Sequence, residues 1–226
     1  MMDWKNIILL IVAGLNLGSA LMVYFLNPKN KINIYYSVMA FWCSVWIFGL
    51  ATFRWMQTEN AVGFLVFIYY SAAGLIPVFF YLFSIYFPYQ KRILTIKTKI
   101  FIWLGAIVII IDVLPSFLIN DFIISPPNNI LVLNLPANII YAIIFLFFIV
   151  FGFKNLIEKY KDSDGFHRIQ LKCLIYGTSI AFIFGMVFDL FYPLFGNYKM
   201  IWLGPYFSVV TLLFISYLLF YHRLRR

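Results

Sequence analysis

The sequence predicts an all-α integral membrane protein: a bundle of seven transmembrane helices with its N-terminus outside and its C-terminus in the cytoplasm. Three observations predict it. Of the 226 residues, 64% are hydrophobic and 11% charged, and the mean hydropathy is +0.94. Soluble domains run at roughly 45–50% apolar and about 25% charged, and a fold of this size has too little interior to hide the excess. Apolar runs long enough to cross a hydrocarbon core of about 30 Å recur seven times. The basic residues alternate between the two sides that those runs define.

In chain order, the runs place helices at about 6–26, 32–53, 61–87, 98–117, 137–153, 168–192 and 201–221. The first ends in Gly18-Ser19-Ala20, which resembles a signal-peptide cleavage site. Cleavage would put Lys29 and Lys31 outside and break the charge alternation, so an uncleaved first helix is expected. Gly14 and Gly18 form a small-xxx-small pair suited to close helix packing, and Asn16 sits mid-helix as polar glue. Pro77 lies inside the third helix, where a kink is expected, and Pro205 near the start of the seventh.

Two connections are longer than the rest. Residues 118–136 hold two β-prone runs around Pro126-Pro127-Asn128-Asn129, which predicts a small hairpin cap. Lys154 to His167 is charged and reads as a solvated connector. The chain forms one membrane domain spanning 1–226, with no long polar linker dividing it.

Of the 17 Lys and Arg, 14 fall on one side: Lys29, Lys31, Lys91, Arg92, Lys97, Lys99, Lys154, Lys159, Lys161, Arg168, Lys172, Arg223, Arg225 and Arg226. Lys5, Arg54 and Lys199 fall on the other. The rich side is cytoplasmic, and an odd helix count then puts the N-terminus outside, in the cell membrane. The net charge of +9 thus follows from topology, and no nucleic-acid partner is expected.

Charge inside a membrane is costly, so intramembrane acids are the first candidates for function. Two qualify, Asp112 in the fourth helix and Asp189 in the sixth. Both lie toward the outer side, with Arg54, Asn138 and Lys199. These five residues define a candidate outer polar pocket. Asp189 shares a stripe with Ala181 and Gly185, which turns it toward the bundle, within reach of Arg54, Asn138 or Lys199. The alternative is that these groups snorkel to the headgroups.

Motifs for phosphate cradling, serine hydrolysis or zinc hydrolysis are missing. Neither catalysis, a cofactor nor a metal is expected. His167 and His222 read as interfacial, and Cys43 and Cys173 as packing residues. The seventh helix carries no lysine for a retinal Schiff base.

The second half carries a recognisable order of motifs. Arg168-x-Gln170 is followed by Gly177, then Pro193-Leu194-Phe195-Gly196, then Leu203-Gly204-Pro205. An aromatic-basic ending, Leu219-Phe220-Tyr221-His222-Arg223-Leu224, closes it. Trp46 and Leu75-Ile76-Pro77 with Phe79 to Phe83 fit earlier in the chain. This order resembles the N-terminal seven-helix sensor region of bacterial and archaeal histidine kinases, over essentially the whole chain.

The resemblance implies a membrane input module. It would sense a ligand or membrane signal and pass a conformational change through the seventh helix to a cytoplasmic kinase or other output domain. Arg168, Gln170 and Gly177 would form its cytoplasmic motif. A homodimer is left open. The sequence reaches Arg226 without phospho-acceptor helices or ATP-binding glycine boxes, so a sensor part of a longer protein and a standalone relative are both expected alternatives. A small transporter or channel using Asp112 and Asp189 is the competing reading.

Overall fold

In the computed structural model, which describes residues 3–89, 94–196 and 198–224, the chain is a bundle of long helices with one small hairpin. The helices are α1 (Trp4–Leu26), α2 (Lys31–Phe53), α3 (Glu59–Tyr86), α4 (Ile96–Asp112), α5 (Leu135–Lys161), α6 (Gly165–Gly185) and α7 (Gly204–Leu224). Lys91, Arg92, Arg225 and Arg226 of the basic set lie outside the described residues.

The helix ends follow local chemistry. Asp3, Asn30 and Thr95 cap α1, α2 and α4 by accepting from the backbone N–H of Lys5, Ile32 and Thr98. Pro136 and Pro205 stand in the first turns of α5 and α7, where a missing N–H costs nothing. Helix α3 is assigned as continuous through Pro77. Helix α4 stops at Asp112, short of the expected 117, because Pro115 opens a separate turn, Pro115–Leu118.

Packing runs in sequence from α1 through α2 to α3, then to α5, α6 and α7, and α7 returns to α1. Helix α4 stands outside this ring, against α3 and α5. The surface is the reverse of a soluble protein's. Phe25, Phe64, Trp103 and Ile143 are each more than 60% exposed, as a chain whose solvent is lipid requires. Among the described residues, five helical stretches are long and apolar enough to cross a membrane: Trp4–Leu26, Lys31–Phe53, Glu59–Tyr86, Leu135–Lys161 and Gly165–Phe191.

Strands β1 (Ile119–Ile123) and β2 (Ile130–Leu133) pair antiparallel, as the sequence signals predict, with an irregularity between Ile119 and Asp121. Asn129 ties the turn down. Its Oδ1 accepts from the Ser125 N–H at 2.9 Å, and its Nδ2 donates to the carbonyls of Phe53 at 2.7 Å and Met56 at 3.0 Å. The hairpin therefore seats on the end of α2, and that end of the bundle is called the hairpin end below.

The opposite end corrects the expected connector. Residues 154–161 continue α5, and only Asp162 to Asp164 link it to α6. Lys159 explains why this charged stretch is ordered. Its Nζ donates to the carbonyls of Ser84, Ile85 and Phe87 at 2.8, 2.7 and 2.6 Å, which otherwise end α3 without partners. Asn155 adds a bond to Ser84 Oγ at 3.2 Å, and Ser163 pairs with Tyr89.

The small-residue expectation for α1 does not hold. A Cβ built on Gly14 or Gly18 meets nothing within 4 Å, so neither glycine permits a close contact. The close approach is elsewhere: a Cβ on Gly74 would collide with Ile109 of α4 and Tyr141 of α5.

Candidate functional site

A cavity of about 120 Å³ lies inside the ring, reaching from mid-bundle toward the hairpin end. Helix α2 gives it Met39, Cys43, Trp46 and Leu50, spaced to share one helix face. Helix α3 adds Tyr69 and Tyr70, α5 adds Tyr141, and α7 adds Gly204, Ser208 and Thr211. The wall from α6 is Ala181, Gly185 and Asp189, the stripe read from the sequence. Its small residues leave space rather than grip a neighbour, because a Cβ on Gly185 meets nothing within 4 Å.

Asp189 is held by a change of helical winding. From Met186 to Phe191 the chain is a π-helix, and only then comes the short turn Tyr192–Leu194. Single π-turns are rare and concentrate at functional sites. The carboxylate points at the first turn of α7, where its Oδ2 fills the space that a Cβ on residue 204 would take. A side chain at 204 would therefore displace the Asp189 carboxylate, and the helix N-terminus beside it favours negative charge. Oδ2 is shut off from solvent without a hydrogen-bond partner among the described residues.

Of the five residues of the expected pocket, Asp189 lines the cavity. Arg54 is buried and already engaged: its Nη2 meets Asp3 Oδ2 at 3.0 Å and its Nε donates to Asn6 Oδ1 at 2.8 Å. Burial lowers the Arg54 pKa from its ordinary value, and the facing Asp3 carboxylate works against that shift. Asn138 is 1% exposed, and neither end of its amide has a partner among the described residues. Asp112 Oδ2 is likewise unpartnered. Lys199 is exposed on the loop before α7. Tyr141 stands within electrostatic range of both Asp112 and Asp189.

The tyrosines were not singled out in the sequence, where the aromatic excess reads as packing. Tyr69 and Tyr70 lie with ring centroids 4.8 Å apart, and Tyr70 and Tyr141 are 5.7 Å apart. Tyr198 closes the end of the cavity, donating to the Leu131 carbonyl of the hairpin at 2.6 Å. Burial pushes its hydroxyl pKa above the ordinary value. No local motif marks these four, because two separate helices and a loop bring them together.

The family model described as the N-terminal 7TM region of histidine kinase matches residues 8–226. The chain belongs to that family. No curated protein matches its sequence.

The chain is therefore the membrane sensor region of a histidine kinase, not its catalytic part. The motif residues of that histidine-kinase sensor region have structural tasks here. Gln170 is buried and its Oε1 lies 3.1 Å from His167 Nδ1, while the Arg168 guanidinium stands over the Tyr160 ring at 5.1 Å. The Gly177 carbonyl accepts from Thr211 Oγ1 at 2.9 Å, which ties α6 to α7. Asn16 reaches α7 too, with Nδ2 3.5 Å from Ser208 Oγ. Pro193 lines the cavity, and Gly196 takes a positive φ of 71° that a side chain would resist. The described residues hold no cluster of three or more potential metal ligands.

Proposed function

We propose that the Asp189 cavity is the input site of this histidine-kinase sensor region and that α7 carries the output. The observation behind this reading is the unpartnered Asp189 carboxylate pressed against Gly204 at the start of α7. A group that binds the carboxylate must alter its approach to that turn. Helix α7 is held to α6 by Thr211 and to α1 by Asn16, so a shift at its first turn is transmitted along a stiff element. Its far end bears the aromatic-basic sequence that leads toward a cytoplasmic output domain.

The topology that goes with this reading is seven spans in one domain over 1–226, N-terminus outside and C-terminus cytoplasmic, in the cell membrane. The 14-to-3 division of Lys and Arg supports it. Helix α4, at 17 residues, is the shortest of the long helices. It would cover roughly 25 Å at 1.5 Å per residue, and the following Pro115–Leu118 turn lengthens that path. A membrane-impermeant thiol reagent added to intact cells should reach a cysteine placed at 128 and not one placed at 163.

The functional test joins this region to a kinase transmitter and reads autophosphorylation across media and membrane conditions. Output should depend on the membrane region, and Asp189→Asn should remove that dependence. Unchanged conditional output in Asp189→Asn would move the input site elsewhere.

A further inference from the structure

The cavity has a consistent chemical bias. Among the described residues, its lining contains one charged side chain, Asp189, and no Lys, Arg or His. Five of the hydroxyls around it have used their protons. Tyr141 donates to the Tyr70 carbonyl at 3.0 Å, Thr178 to Leu174 at 2.6 Å, and Thr211 to Gly177 at 2.9 Å. Ser208 donates to Pro205 at 2.6 Å and Tyr198 to Leu131 at 2.6 Å. What these groups still offer a guest is oxygen lone pairs and ring faces. An anion would find a repelling carboxylate and few donors.

From this geometry we infer that the cavity takes a small organic ammonium ion, with Asp189 as its counter-ion and the Tyr69, Tyr70 and Tyr141 rings as its wall. The inference rests on the reading of the cavity as an input site and names its ligand class. Ring faces attract ammonium groups through their quadrupoles, and a desolvated site strengthens that attraction. A metal cation fits less well, because hard cations require several oxygen ligands and Asp189 is the one carboxylate in the lining. Size agrees: a cavity of about 120 Å³ is near the roughly 150 Å³ that accommodates a benzene-sized guest. That is the scale of tetramethylammonium or choline. The carboxylate, whose Oδ2 meets no hydrogen-bond donor among the described residues, supplies the charge such a guest needs.

The test uses the full chain in lipid nanodiscs. Choline and tetramethylammonium are compared with 3,3-dimethylbutan-1-ol, the neutral carbon analogue of choline, by thermal unfolding and by titration calorimetry. The ammonium ions should bind saturably and raise the unfolding temperature, and the neutral analogue should not. Asp189→Asn should weaken ammonium binding by about tenfold or more, with Asp189→Glu retaining part of it. The probe comparison on the unaltered chain does not depend on any variant folding.

Equal binding of the neutral analogue would make the cavity merely apolar and overturn the inference. So would no ammonium binding, or a response to pH alone. If ammonium ions fail to bind while Asp189→Asn still abolishes conditional kinase output, the input site stands and the ligand class falls. If they bind while output ignores them and Asp189, the cavity binds cations without being the input.

Discussion

At the hairpin end of the bundle, two ionisable side chains live in opposite circumstances. Arg54, at the end of α2, meets Asp3 and Asn6 of the α1 segment and has no need of anything else. Asp189, in the π-turn that follows α6, faces a cavity, and its Oδ2 has no donor among the described residues. Larger regions do not divide this way. Ser44 donates to the Ala13 carbonyl where α1 and α2 pack, and Lys159 pairs with the end of α3, yet Asn16 Oδ1, Ser37 Oγ and Ser71 Oγ in α1, α2 and α3 are buried without partners among the described residues. Asn138, Asp189 and Tyr206, on α5, the π-turn after α6 and α7, likewise each keep a buried atom without a partner among the described residues. Native proteins leave few such groups, and an unpaired buried group costs stability. Of these groups, the Asp189 carboxylate is the one that lines the cavity, and the proposed input site rests on it.

The contrast can be broken by substitution. The largest loss is expected for Arg54→Met, which strips Asn6 and Asp3 of their partner; unfolding in detergent should become easier by about 3 kcal/mol. A loss under about 1 kcal/mol would mean that this corner is not a structural pair. Lys159→Met comes next, at about 2 kcal/mol, because three carbonyls at the end of α3 lose one charged donor. Hydrogen exchange around 84–87 would sharpen that result, since protection should fall there first.

Smaller again is Gly49→Ala, expected to cost about 1 kcal/mol, because a Cβ there lies 2.7 Å from Tyr69 Cβ. Gly14→Ala serves as its control and should be neutral or slightly stabilising, having open space around it. If the two behave alike, the tight packing between α2 and α3 is not what distinguishes that region.

Much of this arrangement is legible in the sequence. The helices follow from hydropathy, the hairpin from Pro126-Pro127 between β-prone runs, and the cavity-facing stripe from the spacing of Ala181, Gly185 and Asp189. What escapes depends on pairing between distant segments. Charge density around Lys154 to Lys161 reads as solvated, yet Lys159 finds carbonyls some seventy residues away. Arg54 lies on the same side as Asp189, but Asp3 reaches it first. The glycine pattern of α1 has the right spacing and no neighbour to use it. The π-turn has no residue signature, since Met186 to Phe191 suits an ordinary helix equally well. The tyrosine wall is invisible because an aromatic-rich membrane protein supplies many candidates and only the fold selects four.

The smallest stability change is expected at the residue of greatest functional weight. Asp189→Asn replaces a carboxyl whose Oδ2 is buried and unpartnered among the described residues, so stability should hold or rise by up to about 1 kcal/mol. The most direct test of the central claim is to measure unfolding and conditional kinase output for Asp189→Asn in the same preparation. A variant as stable as the parent whose output no longer follows conditions is the expected result. A variant destabilised as much as Lys159→Met, with output still responding normally, would contradict the account and make Asp189 a structural residue.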